Sequence, residues 1–231
     1  MVRIGLLVNP DAGLGGRLGL KGSDGQAKYA RSMGAKDRAG PRVRDALNYF
    51  SKIYDDKQEI QWFTSKGRMG SEWMPKDISI GNFNFIHESS GTTTQSDTFE
   101  LVSLLIDSKV DLILYAGGDG TTRDIVSTLD SLKKSIIPVI GIPCGVKMHS
   151  GCFASSPKAG AEVLSSWMNG ELLLSSTEVL DLDEDKYRNG EWVVRLYAEV
   201  KTPASPRWMQ GAKMRVEATG EEEIIEGLAD H

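Results

Sequence analysis

The sequence predicts an α/β protein: a parallel sheet with flanking helices over residues 1–174, followed by a small β-rich second unit, or part of one, over residues 175–231. Three observations carry this. Continuous apolar runs at Val2–Val8, Asp111–Ala116 and Pro138–Ile142 lack the alternation of a half-exposed strand and suit strands covered on both faces. Segments with helical spacing separate them, which implies parallel pairing through right-handed crossovers. After Leu174 the pattern changes to two strand-like stretches around a polar turn.

The first run ends at Asn9-Pro10, which delivers the chain to a loop. Asp11–Gly25 holds six glycines and few core-forming residues, and reads as a long loop rich in accessible backbone. Gly40-Pro41 opens a helix whose apolar face is Val43, Ala46, Leu47, Phe50, Ile53 and Tyr54. Gln58–Phe63 and Phe83–Glu88 are short strand candidates, and the stretch between them has no assignment. Asp97-Thr98-Phe99-Glu100 resembles a capping box, with Phe99, Val102, Leu105 and Ile106 continuing as a helix.

The central run at Asp111–Ala116 passes directly into Gly117-Gly118-Asp119-Gly120-Thr121, and from Thr121 a helix places Ile125, Val126, Leu129 and Leu132 on one face. Beyond the next strand and Pro143-Cys144-Gly145, Glu178–Leu182 and Trp192–Val200 form the second unit, with a turn at Tyr187–Gly190. A final helical segment, 221–231, stops without a clear C-terminal signal, as at a truncated end.

A net charge of -5 argues against a general electrostatic grip on nucleic acid or anionic membrane. With 40% hydrophobic and 26% charged residues, the balance is that of a folded globular protein. No segment approaches the length of a membrane span or the form of a secretory signal, so a cytoplasmic location is expected. Cys144 and Cys152 have no partner pattern and read as buried small hydrophobes.

Strand, glycine motif and helix in succession suit phosphate binding. Glycines let a ligand reach the backbone, and a helix start offers unpaired N–H groups and the positive end of its dipole. Gly117, Gly118, Gly120 and Thr121 are the candidate cradle; the bland alternative is a tight turn before a helix. Asp119 is out of place beside phosphates unless it orients a metal ion or takes a proton from an attacking hydroxyl.

Two further loops should share this edge of the sheet. Asn9–Gly16, through Asn9, Gly13 and Gly16, is a second candidate phosphate wrap or else a surface loop. Gly141–Ser150 offers Lys147 as a phosphate cation and His149 as a polar contact or proton carrier. Arg123 and Asp124 are candidates for phosphate and metal respectively, or simply first-turn charges. The acidic run Asp181–Asp185 lacks the positions of a calcium loop and reads as a solvated turn.

Taken together, Val8–Gly16, Gly19–Gly25, Ala116–Asp124 and Gly141–Ser150 resemble the ATP-NAD kinase superfamily, in particular its AcoX-like branch of predicted polyphosphate- or ATP-dependent NAD kinases. The first and third motifs are shared with lipid kinases; the second and fourth narrow the choice. The resemblance implies an N-terminal domain of the NAD kinase and diacylglycerol kinase kind. It implies transfer of a phosphoryl group from ATP or polyphosphate, with Mg2+, to the 2′-hydroxyl of NAD to give NADP. Asp119 would orient or deprotonate that hydroxyl, and the protein would be a homo-oligomer. The Asn-Glu pair with which the main branch holds the nucleoside is not evident, so adenosine recognition has no assigned residues. The rival readings are a kinase of another small alcohol or a lipid, and a non-catalytic nucleotide-binding regulator; no amphipathic membrane segment supports a lipid substrate.

Overall fold

A computed structural model describes residues 1–14, 27–55, 58–75, 80–89, 92–145, 148–182 and 193–209. The segments are β1 (Val2–Val8), α1 (Ala27–Ser32), α2 (Ala39–Ile53), β2 (Ile60–Lys66), β3 (Asn82–Glu88), α3 (Gln95–Asp107), β4 (Leu112–Gly117), α4 (Asp119–Ser131), β5 (Val139–Pro143), α5 (Pro157–Met168), β6 (Leu174–Leu182) and β7 (Val194–Pro203). The first five strands form one sheet in the order β3-β2-β1-β4-β5. Every pairing in it is parallel. The predicted α/β class is therefore the observed one.

The period of two in a strand divides the sheet into two buried faces. Ile4, Leu6, Leu112, Leu114, Ile140 and Ile142 meet Val43, Leu47 and Phe50 of α2 and Val163 and Leu164 of α5. Leu7, Ile113, Tyr115 and Val139 meet Leu101, Val102 and Leu105 of α3 and Ile125, Val126 and Leu129 of α4. This is why the strand runs are apolar without alternation.

Several boundaries differ from those read in the sequence. β2 begins two residues later than Gln58 and continues through buried Thr64 and Ser65 to Lys66. Thr64 stays in the sheet because its hydroxyl donates to the Leu6 carbonyl at 2.7 Å, so two polar residues sit inside an apolar layer. Between β2 and β3, 3-10 turns occupy Gly67–Met69 and Ser71–Trp73. The capping box belongs to Thr94 and Asp97, three residues earlier than the expected cap at Asp97; Asp97 accepts from the Thr94 N–H at 2.8 Å. Phe99 consequently lies on the outer side of α3 at 37% exposure, and Leu101 takes the core position.

α4 starts at Asp119 rather than Thr121, with Gly118 as its N-cap. Leu132, assigned to its apolar face, caps its C-terminus and is 46% exposed. α5 is capped by Ser156, whose hydroxyl accepts from the Ala159 N–H at 3.1 Å, with Pro157 in the first turn.

β6 and β7 pair antiparallel, as the second-unit strands predict, and both are longer than the sequence suggested. Val179 and Val200 enter the buried cluster on the α3/α4 side of the main sheet, and the buried Thr202 hydroxyl donates to the Val139 carbonyl at 2.8 Å. The two-stranded sheet thus leans on α4 and β5. The predicted turn at 187–190 and helix at 221–231 lie outside the described residues. Both cysteines are buried free thiols, as expected.

Candidate functional site

The carboxyl ends of β1, β4 and β5 lie side by side, and short hydrogen bonds tie the loops that follow them. The Asn9 N–H donates to the Ala116 carbonyl at 2.9 Å, and the Cys144 N–H to the Gly117 carbonyl at 3.1 Å. Asn9 then turns its loop through its own side chain: Oδ1 accepts from the Asp11 N–H at 3.1 Å, and Nδ2 donates to Thr121 Oγ1 at 2.9 Å. Gly13 has φ +78°, and a Cβ there would stand 2.2 Å from the Cys144 carbonyl oxygen. Only glycine allows this loop to press against the β5 loop.

The glycine motif divides by role. A Cβ at Gly117 would lie 2.5 Å from Thr121 Cβ, so this residue serves the packing of strand against helix. Gly118 caps α4 in extended conformation with no capping side chain, and nothing stands within 4 Å of where its Cβ would be. The backbone here faces open space at a helix start, where N–H groups and the dipole favour an anion. Around Gly120 the nearest groups are Asp181 Oδ2 at 3.9 Å and Arg123 Nη2 at 4.0 Å.

Asp119, at 7% exposure, is turned toward the β5 loop. Its Oδ2 accepts from the His149 N–H at 2.8 Å and lies 3.0 Å from His149 Nδ1. Its Oδ1 accepts from the Ser150 N–H at 3.0 Å and the Ser150 hydroxyl at 2.7 Å. Two backbone N–H groups, the Ser150 hydroxyl and the His149 ring therefore surround one carboxylate. Ser150 Oγ also accepts from the Leu180 N–H at 3.0 Å, joining the motif to β6.

Arg123 Nη1 pairs with Asp181 Oδ2 at 2.9 Å, its Nε lies 3.6 Å from Asp124, and its guanidinium stands 5.6 Å from the Tyr197 ring centre. It thereby links the first turn of α4 to both strands of the small sheet. Asp124 Oδ1 accepts from Gln95 Nε2 at 2.6 Å. Beneath the motif, Tyr115 hydrogen-bonds Thr122 at 2.6 Å, and burial pushes the Tyr115 hydroxyl well above its ordinary pKa.

A cavity of about 580 Å³ opens beside these groups, lined among others by Asn9, Asp11, Lys28, Thr94, Arg123 and Asp124. On the other side of the Asn9–Leu14 loop is a second cavity of about 430 Å³, bordered by Gly13, Leu14, Lys36 and Arg38. Arg31 fixes the loop between them, donating to Asp11 at 2.6 Å and to Asp37 at 3.1 Å.

Of the site residues read from the sequence, Asn9, Gly13, Gly117, Gly118, Asp119, Gly120, Thr121, Arg123, Asp124 and His149 gather at this one edge; Gly16 and Lys147 lie outside the described residues. Asp181, read as part of a solvated turn, is instead an ion-pair partner in β6 with its side chain 15% exposed. Sequence reasoning also passed over Ser150, Thr94, Gln95 and Lys28. Ser150 alone had a usable signal, since it closes the Gly141–Ser150 motif.

The parallel sheet flanked by helices, with the glycine motif after its central strand β4 and a cavity lined in part by α4, defines an α/β domain. A model of the ATP-NAD kinase N-terminal domain matches residues 4–172. No curated protein and no solved structure matches the chain. The chain belongs to the ATP-NAD kinase family, a family of kinase-like phosphotransferases acting on small-molecule nucleotides. No helix among the described residues is long and apolar enough to cross a membrane.

Proposed function

We propose that this chain transfers a terminal phosphoryl group from ATP or polyphosphate to the adenosine ribose 2′-hydroxyl of NAD, giving NADP. The observation that carries the reading is the open backbone at Gly118, which caps the helix whose Arg123 and Asp124 line a cavity of about 580 Å³, in a chain of this family. Donor phosphates would meet the α4 N-terminus and the Asn9 loop, with Lys28, Thr94 and Arg123 on the cavity wall. The Gly19–Gly25 and Gly141–Ser150 motifs support the AcoX-like branch. Catalysis in such a site is mostly positioning and charge stabilisation.

Mg2+ enters this reading with the donor, as the counter-ion of its phosphates. Among the described residues no three His, Cys, Asp or Glu side chains converge into a metal cage. Asp124 would offer a single carboxylate, and phosphate oxygens and water the remaining ligands, as is usual for this ion. The reading extends to a cytoplasmic homo-oligomer.

The test is incubation of the full chain with Mg2+, NAD and either ATP or polyphosphate, with NADP measured by a coupled dehydrogenase. NADP above the enzyme-free background with one donor is the expected result. Background levels with both donors would remove the reading.

A further inference from the structure

We propose that the cavity of about 430 Å³ between the Asn9–Leu14 loop and the α1–α2 connection is a second anion site, holding the phosphate of a small phosphorylated metabolite. It is separate from the cavity beside Arg123, and it stands whether or not the chain transfers phosphoryl groups.

The chain as a whole has a net charge of -5, yet this wall collects Lys36 and Arg38, and Arg42 follows one turn later on the same side of α2. Asp37, the acid on that wall, accepts from Arg31 at 3.1 Å and from Arg68 at 2.5 Å, so two other cations already balance it. Arg38 and Arg42 differ from those two. Among the described residues no acceptor meets either guanidinium, and Arg42 Nε is buried. A charged N–H withdrawn from water without an acceptor costs free energy, which a bound anion would offset. Arg3 Nε is likewise buried and unbonded, but its guanidinium stands 4.9 Å from the Phe63 ring centre.

The surroundings of the two arginines are fixed by packing. A Cβ at Gly13 would stand 3.3 Å from Arg38 Cδ and 2.2 Å from the Cys144 carbonyl oxygen, so Arg38 lies where the β1 and β5 loops touch. Burial pushes the Cys144 thiol up to about 12, and the charges of Arg42 and Arg38 oppose that push, which puts both near the same loop. α2 begins beside them without a side-chain cap and with no acid in its first turn, so its dipole adds to the positive field. The α1–α2 connection is held by Gly34 at φ +85°: its N–H donates to the Arg31 carbonyl at 3.0 Å, and that of Ala35 to the Ala30 carbonyl at 2.9 Å. A cavity of this volume admits more than inorganic phosphate, and Leu14 and Met33 offer apolar wall to the rest of the ligand.

The experiment follows the arginine Nε–H signals of the nitrogen-labelled full chain by NMR during titration with inorganic pyrophosphate, with NaCl at matched ionic strength as the control. Arg38→Ala and Arg42→Met assign the two signals. In the wild type both should shift saturably, with a midpoint below about 1 mM. Arg38→Ala should raise the midpoint read at Arg42 at least about tenfold, and Arg42→Met should do the same to that read at Arg38, while any response at Arg123 changes less than about twofold. Ribose 5-phosphate should shift the same two signals; a response to pyrophosphate alone would overturn the assignment to an organic phosphate. Wild-type signals that stay in place, that NaCl shifts equally, or that respond unchanged after loss of the other arginine would overturn the site itself. The wild-type titration decides even where a variant fails to fold, and because no turnover is read, a chain inactive with both donors leaves the proposal standing.

Discussion

Ser150→Ala is the sharpest single perturbation of the Asp119 cluster. It deletes a hydroxyl that donates to Asp119 Oδ1 at 2.7 Å and accepts from the Leu180 N–H at 3.0 Å, at a site with 1% exposure. A hydrogen bond to a charged group contributes about 1.5–3 kcal/mol, and a buried N–H left without its partner costs about 1–3 kcal/mol. Asp119 keeps three donors and is not stranded, so the terms do not fully add. The expected loss is about 2–4 kcal/mol, equivalent to a fall of roughly 5–15 °C in Tm for a domain of this size. Urea titration followed by far-UV circular dichroism measures it, with exposed Ser155→Ala as the control, expected within about 0.5 kcal/mol. A Ser150→Ala loss below about 0.5 kcal/mol would refute the claim that the hydroxyl bridges α4 and β6.

Gly118→Ala meets no atom within 4 Å, so its stability should match wild type within about 0.5 kcal/mol while donor KM rises at least tenfold; an unchanged KM would remove the phosphate cradle. Gly40→Ala puts a Cβ 2.0–2.3 Å from three ring atoms of Trp73 and should cost about 2–3 kcal/mol by urea titration despite the better helix propensity of alanine. A double-mutant cycle on Arg123→Ala and Asp181→Ala should give a coupling of about 1 kcal/mol, the pair being only partly exposed, and that coupling should shrink in high salt. Burial pushes the Cys144 and Cys152 thiols up to about 12. Above about pH 9 the unfolded thiols lose protons that the native ones retain, so stability should fall as pH rises through 9–12, by up to about 1.4 kcal/mol per pH unit for each thiol. Replacing both with Ala should flatten that alkaline slope, and neither should react with iodoacetamide in the native state near neutral pH.

The sheet was legible because its signals are local. Apolar runs at 4–8 and 112–116, too short for helices and free of alternation, suit strands buried on both faces, and the crossover helices between them show their own period of 3.6. Where local signals compete, boundaries slipped. Asp97 and Thr94 are both capping residues, and the reciprocal bond between them, rather than residue type, selects Thr94 as the cap. Thr64 and Ser65 are polar enough to suggest a strand end, yet hydrogen bonds to Leu6 and His87 keep both inside β2.

The same division runs through the site. A glycine motif after a central strand, the Asn9 turn and their common edge followed from residue type and order alone, because turn chemistry and the direction of parallel strands are encoded over a few residues. What the carboxylate and the cations do was decided by tertiary structure. Asp119 meets His149 and Ser150 across 30 and 31 residues, and Arg123 meets Asp181 across 58. Such pairings exist only once the β4, β5 and β6 chain ends are packed together, and no periodicity records them. Sequence therefore placed Asp119 at the carboxyl edge of the sheet, and packing gave it His149 and Ser150 as partners.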